Sequence, residues 1–249
     1  MNEAATFLPA GCERMKTIGL IGGMSWPSTI TYYRIINEKM NERLGGAHSA
    51  RIILYSVEFS EIAECQENGR WDKCAEILGD AAEKLEAAGA GMILICANTM
   101  HKVADEVRVR IHVPMIHIAD ATADALEKAG VRKVALLGTK YTMTQDFYTS
   151  RLAARGFDVL IPEGADLEAV NDVIYGELDR GEIREESRER FSGIISGLKD
   201  RGAEAVILGC TEIGLLVKQE DSVLPVFDTA EIHAVRAAEL ALTGASADD

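Results

Sequence analysis

The sequence is short of positive charge: 26 Lys and Arg stand against 40 Asp and Glu, a formal net charge of −14 over 249 residues. Nucleic acids and anionic membrane surfaces are held through clustered Lys and Arg, so the deficit argues against both as partners and points to a small molecule. No apolar run approaches the roughly 18 residues that a membrane-spanning helix needs. The five cysteines, at 12, 65, 74, 96 and 210, are odd in number and form no C-x-x-C pair. A disulfide framework is therefore not expected, and reduced thiols in the cytoplasm are. Nucleotide-binding glycine patterns are missing as well. Gly19 to Trp26 reads G-L-I-G-G-M-S-W rather than G-x-G-x-x-G, and there is no Walker A pattern. The opening MNEAATFLPAGCER lacks the basic and apolar regions of a secretory signal. Residues 1–14 and 244–249 are expected to be flexible, and Met15, just ahead of the first strand, is a candidate alternative start.

What is present is an apolar content of 47% spread along the whole chain, enough for a buried core. Short β-rich runs alternate with longer helical patterns, which predicts βαβ units and a mainly parallel sheet. Strands are expected at Thr17–Ile21, Arg51–Val57, Met92–Cys96, Met115–Ile118, Lys133–Leu137, Asp158–Ile161, Ala205–Leu208 and Leu224–Phe227. Helices are expected at Tyr32–Arg43, Trp71–Ala88, Ala121–Ala129, Leu167–Asp179, Glu186–Arg201 and Ala230–Leu242. Gly89, Gly130, Gly156 and Gly202 follow helix ends, as C-terminal caps do. Two loop pairs repeat in layout: IGLIGGMS with VALLGTKYTM, and MILICANTMH with AVILGCTEI. The fold expected is α/β, with two pseudo-symmetric Rossmann-like parallel-sheet domains and the active site in the cleft between them. The first domain is placed at 15–118 plus 228–243, the second at 119–227.

Each half offers a cysteine and a threonine at a strand end: C-A-N-T-M-H from Cys96 to His101, and G-C-T-E from Gly209 to Glu212. A lone buried cysteine is ordinarily packing, but two in matching loops suggest chemistry. One thiolate removes an α-proton from one face of an amino acid, and the other thiol returns a proton to the opposite face. A free thiol has a pKa of about 8.5, which a helix N-terminus lowers. Donors aimed at the α-carboxylate must stabilise the carbanion; Asn98, Thr99 and Thr211 are the candidates. Gly22 and Gly23 let a backbone approach a ligand, and Ser28 or Thr29 is a candidate cap for the next helix. Cys96 with His101 lacks the second close pair of a zinc site, so no metal is expected. His101 alone reads as structural or as a thiol-orienting group. Gln66 precedes a helix where exposure is the default, and Cys65 and Cys74 lie on charged stretches and are expected to be exposed.

Together IGLIGGMSWPSTITYY, CANTMH, GCTEIGLLV and VLPVFDT closely resemble the aspartate/glutamate racemase family, whose members need no pyridoxal cofactor. The resemblance, from about Met15 to about Leu242, implies racemisation of an acidic amino acid, aspartate or glutamate, without any cofactor, by a protein that is usually a dimer. By position it places Met24 and Ser25 beside the substrate, Gln66 on one carboxylate, Asn98 and Thr99 on the α-carboxylate, and Thr211 and Glu212 on the other side. Cys210 matches the family's second catalytic cysteine. The first departs from the pattern: the family sets Cys, or in some relatives Thr, directly before Asn-Thr, where this chain has Ala97 and carries Cys96 one residue earlier. Neighbouring strand residues face opposite ways, so Cys96 reaches the cleft only if the backbone turns there. Three readings stay open: a racemase using Cys210 with Cys96 or a water, a one-thiol enzyme similar to arylmalonate decarboxylases, and a silent binding protein for acidic amino acids.

Overall fold

The computed structural model of the chain describes residues 15–243; the ends expected to be flexible, 1–14 and 244–249, lie outside the described residues. The chain runs β1 (Ile18–Gly22), α1 (Trp26–Leu44), β2 (Ile52–Ser56), α2 (Phe59–Glu67), α3 (Trp71–Ala87), β3 (Met92–Ile95), α4 (Ala104–Arg108) and β4 (Met115–Ile116). It continues α5 (Ile118–Ala129), β5 (Lys133–Gly138), α6 (Lys140–Thr144), α7 (Asp146–Ala154), β6 (Asp158–Leu160) and α8 (Ala165–Gly176). It ends α9 (Glu185–Asp200), β7 (Ala205–Gly209), α10 (Ile213–Leu216), β8 (Val226–Asp228) and α11 (Thr229–Thr243). The strands form two four-stranded sheets, β2-β1-β3-β4 and β6-β5-β7-β8, parallel throughout. The same order in both is the repeat that the paired loops suggested.

The central strands β1, β3 and β7 are buried at every residue and β5 at all but Lys133, which is why they read as unbroken apolar runs rather than alternating ones. In the first sheet Ile21, Ile93 and Ile95 pack against Leu78 and Leu85 of α3, while Ile18, Leu20, Met92 and Leu94 pack on the other face. That second face is covered by α1 and α11, where Ala234, Ala237, Ala238 and Ala241 let α11 approach Tyr32, Ile36 and Met40. In the second sheet Leu137 and Leu208 face Val170 and Phe191 of α8 and α9, and Leu136 and Ile207 face α5 and α7. Each fully buried Leu or Ile contributes about 1.5–3 kcal/mol. None of the described helices is long and apolar enough to cross a membrane.

Local chemistry moved several boundaries. The strand expected to run to Ile118 stops at Ile116, because His117 Nδ1 accepts the Ala119 N–H and starts α5. Helix α1 begins at Trp26 with Ser25 at its N-cap position, so Ser28 and Thr29 lie inside the first turn and do not cap it. Thr29 instead accepts from the Gly23 N–H and donates to the Ser25 carbonyl. Gly23 sits at φ +92° with the Val57 backbone against it, so a side chain would be both strained and blocked. Helix α2 was not expected, and α7 was signalled by its closing Gly156 but given no bounds. Because α2 packs on α3, Cys65 and Cys74 are buried, not exposed. The four expected cap glycines all have positive φ.

Candidate active site

Register shows which residues of the two halves correspond. Ile18 to Ile21 of β1 pair with Met92 to Ile95 of β3, and Val134 to Gly138 of β5 pair with Ala205 to Gly209 of β7. Superposing Ile18–Gly22 on Val134–Gly138 aligns Ile95 with Leu208. Cys96 then matches Gly209, and Ala97, not Cys96, matches Cys210. The packing agrees. Cys96 is fully buried in the cluster with Leu20, Leu94 and Tyr32 on the α1 and α11 face, so the backbone does not turn it into the cleft. Its expected place beside the substrate is corrected on that ground: alternation along the strand carries it to the far side.

The strand ends open on a cavity of about 30 Å³ whose wall includes Met24, Gln66, Ala97, Asn98, Thr99, Cys210, Thr211 and Glu212. Eight of the ten expected site residues thus meet there. Ser25 stands behind them, its Oγ donating to Glu212 Oε1 at 2.5 Å, and Cys96 is the one left out. Glu212 holds the cluster together. Its Oε2 accepts from Cys210 Sγ at 2.9 Å and from Thr211 Oγ1 at 2.9 Å. Thr99 Oγ1 meets Thr139 Oγ1 at 2.9 Å across the halves. Thr229 gives its hydroxyl proton to the Leu208 carbonyl and so must accept from Asn98 Nδ2. That leaves Asn98 Oδ1 as a buried acceptor without a partner. Gln66, expected to be exposed, is buried on α2 with its Nε2 donating to Met100 Sδ.

Comparison with known proteins gives the family. The sequence profile of the Asp/Glu/Hydantoin racemase family matches residues 21–237. The chain belongs to this family. Among solved structures it is similar to one from Yersinia pestis classed with the Asp/Glu racemases, at 52% identity and TM-score 0.86, covering 92% of this chain and 100% of that one. It is also similar to an aspartate racemase homologue from Pyrococcus horikoshii, at 42% identity and TM-score 0.80, covering 91% and 99%. A broad-specificity amino-acid racemase of Bacillus subtilis, RacX, is 22% identical over 216 residues, 86% of this chain and 92% of that protein. The expectation of an amino-acid racemase stands at the level of the family.

Against the family pattern, this site is a one-thiol site rich in carboxylates. Burial pushes the Cys210 thiol well above its ordinary range, with Glu212 and Asp179 adding to the rise. Asp179, from the turn after α8, is raised to about 7 by burial and by Glu212. Tyr175 of α8 is likewise raised, by burial first. Asp179, Tyr175, Phe59 and Thr139 also line the cavity and were missed from sequence. Only Thr139 had a signal, since it follows the repeated strand-loop VALLG. Behind the cleft, His101 donates from Nδ1 to the Ala97 carbonyl at 2.8 Å and accepts the Ile118 N–H. It therefore fixes the Ala97 loop and orients no thiol. Among the described residues no cluster of His, Cys, Asp and Glu is placed to hold a metal.

Proposed function

We propose that the chain racemises a free amino acid by exchanging its α-proton through Cys210, with no pyridoxal. The reading rests on one observation: a buried thiol at the end of β7, hydrogen-bonded to Glu212 in a cavity between the halves. The thiolate takes the α-proton, and the electron pair moves into the α-carboxylate as an enediolate. Thr99, whose hydroxyl meets Thr139 with either oxygen free to donate, is the side-chain donor available to that carboxylate, since the Thr211 hydroxyl is already given to Glu212. Asn98, as its amide is held, offers an acceptor and so suits the α-ammonium better than the carboxylate first expected for it. That positive charge beside Glu212 offsets the carboxylate repulsion that adds to burial in keeping the thiol protonated.

On the opposite face Ala97 supplies no acid or base. The cavity beside it, about 30 Å³, is roomy enough to admit a water, and a water is the carrier proposed for the second proton. The same alanine favours a second reading, a one-thiol enzyme that protonates an enolate from one side only.

The test is proton NMR of amino-acid enantiomers in heavy water with the wild type and Cys210→Ser. Loss of the α-proton signal with growth of the mirror image, abolished in Cys210→Ser, supports the racemase. Exchange without inversion supports the one-sided reading. Exchange in neither protein sinks both.

A further inference from the structure

The inner cavity has two carboxylates on its wall, Asp179 and Glu212, and no Lys, Arg or His. The two are not equivalent. Glu212 is engaged by the Ser25 and Thr211 hydroxyls and the Cys210 thiol. Among the described residues Asp179 has no hydrogen-bond donor and no cation paired with it, although it is half-buried. Burial together with Glu212 raises its carboxyl to about 7, so the site as it stands lacks a positive charge at this point. A second, larger pocket of about 610 Å³ adjoins the first and shares Phe59, Gln66, Tyr175 and Asp179 with it. Asp179 thus stands where the reacting centre opens into room for a side chain. The cations of the outer pocket, Lys140 and Arg180, are exposed, and Lys140 is already paired with Glu168 at 2.6 Å. Water screens these charges far more than it screens Asp179.

An amino acid brings one α-ammonium, which the Glu212 and Asn98 end can hold. The second carboxylate is left over. We infer that Asp179 is a specificity-determining residue that receives a positively charged side chain, and that the preferred substrates are basic amino acids such as lysine or ornithine rather than aspartate or glutamate. A side-chain carboxylate entering the same passage would meet Asp179 and Glu212 with no desolvated cation to offset them. An apolar side chain would leave Asp179 unpaired. The aromatic walls of Phe59 and Tyr175 suit the methylene stem of a long basic side chain, which carries apolar surface beneath a charged head.

This inference rests on the proposed proton exchange, so its test reads binding as well as turnover. Lysine, norleucine, which has the same four-carbon stem without the ammonium, and glutamate are compared by α-proton exchange in heavy water and by titration calorimetry, with the wild type, Asp179→Asn and Asp179→Glu. Lysine is expected to exceed norleucine in kcat/KM and in affinity by at least about tenfold, the low end for a charged hydrogen bond, with glutamate weakest. Asp179→Asn should shrink the lysine-to-norleucine ratio to within about twofold, and Asp179→Glu should restore most of it. Norleucine matching lysine, or glutamate surpassing it, overturns the inference while leaving the racemase reading intact. Lysine bound tightly but not exchanged, with the preference lost in Asp179→Asn, upholds the inference and fails the racemase. Neither binding nor exchange with any of the three overturns both.

Discussion

Ala97 and Cys210 occupy matching positions in the two sheets, two residues beyond Ile95 and Leu208, which are themselves aligned by register. A methyl group therefore faces the cleft from one half where a thiol faces it from the other. If the second proton is carried by a water, inversion is limited on the Ala97 side. Ala97→Cys is expected to raise the racemisation rate by about 10²-fold, the lower range for a positioned acid or base, measured from the decay of circular dichroism. An unchanged rate would show that the Ala97 face does not limit inversion.

The two cysteines near the strand ends should behave oppositely. Cys210→Ser is expected to slow α-proton exchange by at least about 10²-fold with little change in melting temperature. Cys96→Ser places a hydroxyl in the apolar layer between β3, α1 and α11 and should cost about 1–3 kcal/mol of stability. Exchange per folded molecule should stay near the wild-type value. Urea unfolding and exchange rates on the same preparations separate the two, and a Cys96→Ser protein that is stable but inactive would return Cys96 to the chemistry.

Much of this was legible in the sequence because the buried strands announce themselves. IGLIG, MILI and AVILG are apolar at every residue, and their following loops carry the polar groups that have no other work. The matching loops also pointed to the repeat, whereas Cys96 was expected in the chemistry although the alternation rule set it on the far face unless the backbone turned. Helix α2 was hidden because FSEIAECQE puts few apolar residues at helical spacing. Its buried face appears only once α3 lies against it, and Gln66 and Cys65 were misread as exposed for the same reason. Asp179 and Tyr175 reach the site through the packing of α8 on the second sheet, and no motif marks them. The electrostatic character of the site was therefore out of reach, since it depends on Asp179 standing near Glu212.

The thiol of Cys210 is held protonated by burial first and by the Glu212 carboxylate second. Removing that charge in Glu212→Gln should lower the thiol pKa, so alkylation of Cys210 by iodoacetamide should set in at lower pH than in the wild type. Peptide mass spectrometry distinguishes Cys210 from the other cysteines. By the same sign, wild-type kcat/KM should rise with pH above neutrality as thiolate forms. An onset at the same or higher pH in Glu212→Gln would mean that Glu212 does not oppose ionisation of the thiol.

The histidines behind the cleft make stability depend on pH. His233 donates from Nε2 to the Ile116 carbonyl at 2.8 Å and accepts from the Tyr32 hydroxyl at 3.0 Å, and burial lowers it to about 3. His101 is lowered to about 4 for the same reason. In the unfolded chain each takes up a proton near pH 6.5, while the folded form stays neutral. The unfolded state then binds more protons, and stability is lost as pH falls below about 6.5 toward the folded values. Asp179 and Asp228, raised to about 7 and about 6, act in the opposite sense, so the total slope mixes both. Comparing His233→Gln with the wild type cancels those carboxylates. The unfolding free energy of the variant, from urea titrations between pH 4 and 6, should fall less steeply with acid by about 1.4 kcal/mol per pH unit, one proton's worth. Parallel slopes would mean that His233 takes up its proton in the folded protein too, and that the hydrogen bonds to Ile116 and Tyr32 do not hold the ring neutral.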